Sequence, residues 1–301
     1  MIYIINPNKY REYLDKGINK YLFKLKVPKY KGKKLQDIII DEEIVGHIYG
    51  INLNPLNINS EKEIKEYIFN INEVIEDEYT SIYIEEEFPL AIIRKIEEDL
   101  SMNKLDGKSI RLFNIPYIIE RLMLKMKRDI LKEEILIISE IKEETLKIID
   151  DLSNRFNFIS VFGLNEMDEE DVYEEVLENA GISIYYPLGN DISLRKYKVI
   201  INTVDELLMN FKDIRKNAII IDFSDSKPFK GSNRYVIEDI SIDISDLGLV
   251  NCPWISKEIS VSLYAYLFKG KYRLFCRVFN NGKLITIEDF INQGIKIKGG
   301  F

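Results

Sequence analysis

The chain has 301 residues, of which 46% are hydrophobic and 31% charged. That length suggests about two domains, and the mixture can bury a core, excluding disordered, collagen-like and coiled-coil chains. A net charge of -8 argues against general nucleic-acid binding, two Cys exclude a disulfide framework or Cys-rich zinc site, and a single His excludes multi-His metal sites.

In chain order, Ile2–Ile5, Tyr21–Val27, Ile44–Tyr49, Thr80–Ile84 and Ile110–Phe113 have the apolar patterns of strands. Helices are expected at Ser60–Val74, Pro89–Leu100 and Ile115–Lys127. Ser60 is placed to cap the first, with Glu63 at the capping-box position, and Pro89 fits the first turn of the second.

The second half has a clearer rhythm. Strands are expected at Ile135–Ser139, Phe156–Phe162, Ile182–Tyr186, Tyr197–Asn202 and Ala218–Phe223, with a sixth at Tyr235–Ile237. Helices are expected at Lys142–Asn154, Glu169–Asn179 (stopped by Ala180-Gly181) and Val204–Ile214. Fully apolar strands alternating with helices imply a parallel sheet covered on both faces, the βαβ arrangement of a doubly wound fold. Beyond it, Trp254–Phe268 reads as an amphipathic helix. Tyr272–Phe279 and Leu284–Thr286 flank the hairpin turn Asn280-Asn281-Gly282, and Ile287–Gln293 reads as a short helix. A boundary in the charged stretch Lys127–Glu134 divides the chain into an N-terminal α/β domain, 1–130, and a Rossmann-like domain, 131–301.

Charge is uneven along the chain. Residues 1–34 hold ten Lys/Arg and two Asp/Glu, and residues 133–191 hold three Lys/Arg and sixteen Asp/Glu. These extremes are either solvated faces or opposite sides of an interface. No charged segment leads into a long apolar run, and no run approaches the roughly 20 residues of a membrane span. A cytoplasmic protein with reduced Cys252 and Cys276 is the expectation, with no membrane or nucleic-acid partner.

Residues 133–268 resemble the Rossmann-type half of the amino-acid-dehydrogenase-like superfamily, which includes the shikimate dehydrogenases and the dipicolinate synthases. The matching stretches are Tyr197-Lys-Val-Ile-Ile-Asn-Thr203, Asn217-Ala-Ile-Ile-Ile-Asp222 and the turn Asn251-Cys-Pro-Trp254. The resemblance implies strand ends that face a nicotinamide cofactor. A dinucleotide site, however, needs G-x-G-x-x-G after the first strand, so that the backbone can approach the pyrophosphate at a helix N-terminus. Here the stretch is Ser139-Glu140-Ile141-Lys142-Glu143-Glu144, with no Gly and three Glu. Beginning instead at Gly163 gives Gly163-Leu-Asn-Glu-Met-Asp-Glu-Glu-Asp, which is more acidic still. Ordinary NAD(P) binding is therefore not expected, nor is any other cofactor or metal.

Asp222, Ser224 and Asp225 end one strand on the ligand face of such a sheet, and Asn202 and Thr203 end another. Each group fits either ligand contact or turn and helix-cap chemistry. His47, between Gly46 and Gly50, is either a general base near a close backbone approach or a structural residue. Glu85-Glu86-Glu87 suits a solvated loop better than paired catalytic carboxylates. Lys20–Lys34, with interleaved aromatics, suits a strand with one basic face better than a base-stacking surface. No catalytic motif is present. The reading is a non-catalytic binding or assembly protein, with a protein partner or self-association and room for a small-molecule ligand. The alternatives are an oxidoreductase with an atypical NAD(P) site and a nucleotide-independent enzyme acting through Asp222, His47 or a Lys.

Overall fold

A computed structural model describes residues 1–5, 9–10, 12–13, 32–51, 60–74, 81–85, 107–129, 132–187, 194–206, 214–232 and 235–296. Its elements run β1 (Ile2–Ile4), β2 (Gly32–Ile40), β3 (Glu43–Ile51), α1 (Glu61–Val74), β4 (Ile82–Ile84), α2 (Lys108–Lys125), β5 (Glu134–Ile138), α3 (Lys142–Ser153), β6 (Phe158–Phe162), α4 (Glu166–Ala180) and β7 (Ile184–Tyr185). They continue with β8 (Val199–Asn202), β9 (Ile219–Asp222), β10 (Tyr235–Ile237), β11 (Asp239–Asp243), β12 (Glu258–Ser260), α5 (Val261–Leu267), β13 (Arg277–Asn280), β14 (Lys283–Ile285) and α6 (Ile287–Lys296). The expected strand Tyr21–Val27 and helix Pro89–Leu100 lie outside the described residues.

Two compact units emerge. One holds residues 1–106 and 244–271, the other 107–243 and 272–301. The cut therefore falls at 106/107 rather than near 130, because α2 belongs to the second unit with the sheet that follows it.

In the first unit, β3, β1 and β4 run parallel and β2 pairs antiparallel to β3. Ser60 caps α1 as expected. Its hydroxyl accepts from the Glu63 amide at 3.3 Å and donates to the Glu63 carboxylate at 3.1 Å. Gly46 and Gly50 serve close packing. A β-carbon on Gly46 would lie 2.5 Å from the Met1 carbonyl, and one on Gly50 would lie 2.2 Å from the Tyr10 ring. In the returning segment, the expected helix Trp254–Phe268 is corrected. Residues 253–254 form a turn, 258–260 a strand, and the helix begins only at Val261. Ser260 ends that strand in extended backbone, and its hydroxyl accepts from the Leu263 amide, which fixes the helix start there.

The second unit is built on a six-stranded sheet ordered β7-β6-β5-β8-β9-β10, every neighbouring pair parallel. Counted from β5, that is the order 3-2-1-4-5-6 of the doubly wound Rossmann sheet. The residue types explain it. Ile135, Leu136 and Ile137 are all wholly buried although they alternate between faces, so the strand is covered on both sides. One face packs Leu136, Ile200 and Ile220 against Tyr197, Ala218 and Phe229. Helices α2, α3 and α4 pack in succession, α2 on α3 and α3 on α4. Helix α4 ends as expected at Gly181, which takes the left-handed conformation (φ 66°) that glycine adopts without penalty. Antiparallel β11, β13 and β14 follow, and Asn281 and Gly282, both at positive φ, make the hairpin turn between the last two. The buried Glu238 carboxylate accepts from both turn amides, at 3.1 and 2.9 Å.

Ile110–Phe113, expected as a strand, belongs instead to α2, which spans 18 residues and carries Pro116 in its interior. An interior proline removes one helical hydrogen bond and costs about 3 kcal/mol. Burial of Ile110, Leu112, Ile115, Ile118, Ile119 and Leu122 along the same helix outweighs that cost. Likewise, residues 203–206 are not helical, so no helix starts at Val204; residues 207–213 of that expectation lie outside the described set.

Replacing Gly50 by Ala should force the Tyr10 ring to move and should lower stability by about 1–3 kcal/mol. Urea unfolding monitored by tyrosine fluorescence measures this.

Candidate functional site

In a parallel α/β sheet, side chains at the carboxyl ends of the strands form the face on which ligands gather. Four strands of the second unit end here in polar or glycine residues. They are Ser139 after β5, Gly163 after β6, Asn202-Thr203 at β8 and Asp222 at β9.

Asn202 and Asp222 face each other across the pair β8–β9 as register partners. Asp222 is wholly buried, and its carboxylate accepts from Asn202 Nδ2 at 2.9 Å, Ser224 Oγ at 2.6 Å and the Phe229 amide at 3.2 Å. Asn202 Nδ2 also donates to the Val204 carbonyl at 3.0 Å. Its side chain therefore bridges two strand exits, and among the described residues 203–206 there is no helix for it to cap. Asp205 ties the same exits together from outside, since its carboxylate accepts from the amides of Asp225 and Ser226 at 2.8 and 2.9 Å. Thr203 stitches β8 to β5: its amide and its hydroxyl both donate to the Ile138 carbonyl. Of the five residues expected at this face, Asn202, Asp222 and Ser224 come together in one hydrogen-bonded group. Thr203 sits beside β5, and Asp225 is exposed.

In dinucleotide-binding Rossmann sheets the phosphate loop follows the first strand, the position that the β5–α3 connection takes here. This connection is three residues long, Ser139, Glu140 and Ile141, and has no glycine. Ser139 is buried; its hydroxyl lies within 3.4 Å of both the amide and the carbonyl of Ile141. Glu143 and Glu144 fill the first turn of α3. Lys142 pairs with Asp171 on α4 at 2.7 Å, and Lys108 pairs with Glu144.

Two features of this edge escape a reading of the sequence. Arg111 and Asp239, 128 positions apart, form a two-pronged ion pair at 2.9 and 3.0 Å. Burial alone would raise the Asp239 carboxyl, but Arg111, Lys227 and the Ile240 amide outweigh it and hold the group below the usual carboxylate range. Lys227 takes left-handed backbone (φ 52°), and its ammonium donates to the Asp222 carbonyl at 3.1 Å. Burial, helped by the Arg111 guanidinium, pushes this amine below the ordinary lysine range against the pull of Asp239, Asp222 and Asp225.

His47 belongs to the first unit. It is buried on β3, with Nδ1 2.7 Å from the Asp37 carboxylate and Nε2 3.3 Å from the Lys34 ammonium. The Lys34 ammonium, backed by His47, holds Asp37 below the usual carboxylate range. With the Lys34 ammonium donating towards Nε2 and the Asp37 carboxylate facing Nδ1, the imidazole is a link in a β2–β3 cross-strand network. Glu85 pairs with Lys9, and Glu86 and Glu87 lie outside the described residues. Of Lys20–Lys34, only residues 32–34 are described, on β2. Neither Cys252 nor Cys276 is in a disulfide, and both are partly buried; the Cys276 sulfur meets Ser241. Among the described residues, no group of three or more His, Cys, Asp or Glu is placed to hold a metal, and no helix is long and apolar enough to cross a membrane.

No protein-family model and no curated protein matches the chain. Among solved structures it is similar to L-tryptophan dehydrogenase from Nostoc punctiforme (12% identity, 60% of this chain and 51% of that one, TM-score 0.31). It is similar to a dipicolinate synthase chain from Bacillus halodurans (14%, 49% and 51%, 0.34). It is also similar to shikimate 5-dehydrogenase from Listeria monocytogenes, solved with shikimate and NAD (11%, 79% and 85%, 0.32). The chain spans about half the length of the first two. These are weak, Rossmann-like resemblances, and the fold assignment rests on the strand order and direction described above.

Asp222→Ala would strand three donors at a buried site, and a loss of about 3 kcal/mol is expected in urea unfolding. The Asp239 contribution is complete above the ordinary carboxylate pKa of about 3.9 and disappears as pH falls through the lower folded value. Asp239→Asn should therefore flatten the acid limb of a plot of stability against pH below about pH 4.

Proposed function

We propose that this chain is a non-catalytic binding or assembly protein whose Rossmann-like sheet has no dinucleotide site. The observation that carries the reading is the glycine-free turn Ser139–Ile141 opening onto Glu143 and Glu144. β-Carbons occupy the space that a pyrophosphate needs against the backbone. Each nearby carboxylate opposes a phosphate by an amount on the order of 1 kcal/mol at a partly exposed site. The cation that opens the helix, Lys142, is engaged by Asp171. The polar group at the β8 and β9 exits supports the same reading, because the Asp222 carboxylate meets three donors of its own chain.

A protein partner, or a second copy, is favoured by α4. It carries eight acidic residues and no basic one, with Met167, Tyr173 and Leu177 exposed among them. Large apolar side chains left in water on a charged helix are a common mark of an interaction face. A cytoplasmic location fits these features.

A thermal-shift titration with NADH and NADPH tests the reading. A site-specific ligand at 100 times its dissociation constant adds about 2.7 kcal/mol to stability. No change in Tm is expected with either dinucleotide. A saturable rise would overturn the proposal in favour of an oxidoreductase that holds its cofactor through other contacts.

A further inference from the structure

Lys227 stands apart from most described lysines of the second unit. Lys108, Lys125, Lys132, Lys142, Lys147, Lys196 and Lys198 each lie within 4 Å of a carboxylate, whereas Lys227 has no carboxylate oxygen of the described residues at that distance. An ammonium has three N–H donors, and among the described residues the acceptor that this one meets is the Asp222 carbonyl. Its stem is fixed by a left-handed backbone between Ser226, tied to Asp205, and Pro228. The groups that face it are Arg111 from α2, Asp239 from β11, Asp222 at the end of β9, and Asp225 in the same loop. Asp239 is already engaged by Arg111 and Asp222 by its three donors. Burial with a single neutral acceptor favours the uncharged amine, and Lys227 as a residue is neither fully buried nor fully exposed where it follows the carboxyl end of β9.

We infer that Lys227 is a covalent capture site for small carbonyl compounds, aldehydes or ketones, at the carboxyl edge of the sheet. The amine lone pair attacks the carbonyl carbon to give a carbinolamine. Loss of the former carbonyl oxygen as water, with the two amine hydrogens, leaves an imine joined to Nζ. No oxidant or reductant is needed, and the step holds whether or not a dinucleotide binds elsewhere.

The test is reductive labelling of the whole chain with limiting isotope-labelled formaldehyde and cyanoborohydride, which reduces the imine to a stable amine. Peptide mapping then gives the label at each lysine. At pH 7, Lys227 is expected to carry several-fold more label than Lys62 and Lys132, whose side chains are 84% and 81% exposed. That preference should shrink towards pH 10, where ordinary lysines lose their protons. Equal labelling at pH 7, or a preference that does not change with pH, would overturn the assignment. Lys227→Arg, which keeps a cation in place, should remove the selective label and leave that on Lys62 and Lys132 unchanged.

Discussion

A carboxylate sealed inside a parallel sheet has to be met by donors, and much of the second unit is arranged around that requirement at Asp222. Three groups from two strand exits converge on it, and in doing so they fix β8 against β9 and pull the chain after β9 back over the sheet. A water-exposed aspartate would impose none of this. Buried, it converts the end of β9 into a junction, because leaving any of its neighbours unmatched costs free energy comparable to a sizeable part of a domain's stability. Lys227 is held at the same junction, its ammonium donating to the Asp222 backbone carbonyl.

The β5–α3 turn obeys a different constraint. A helix N-terminus attracts negative charge through its unpaired amides, and dinucleotide-binding chains leave that attraction to a phosphate by placing glycines there. In this chain Glu143 and Glu144 take the position, so the helix dipole is met from within. That attraction stabilises the first turn of α3 through the chain's own carboxylates.

Much of the second unit was legible in the sequence. Doubly covered parallel strands are apolar on both faces, so Ile135–Ser139, Tyr197–Asn202 and Ala218–Phe223 stand out as uninterrupted runs close to the observed β5, β8 and β9. Asn202, Asp222 and Ser224 were legible as polar ends of those runs, but the bonds among them were not, since they depend on which strands become neighbours. Helix α2 was only half legible. Ile110-Arg-Leu-Phe has the look of a strand and a helix was expected only from Ile115, yet one helix runs from Lys108 through Pro116 because the faces it buries outweigh a lost hydrogen bond. That error also hid Arg111, whose partner Asp239 lies 128 residues away and is joined to it by tertiary structure alone.

The chain leaves the first unit at residue 106, builds most of the second, and returns with residues 244–271 before completing the second with those that follow. During synthesis, the first unit therefore lacks its final segment until Lys271 has emerged from the ribosome. The second unit, in turn, waits for the strands that follow Tyr272. Neither can be finished by simple vectorial growth, and a nascent chain interrupted near the middle would expose two incomplete cores to chaperones and proteases at once.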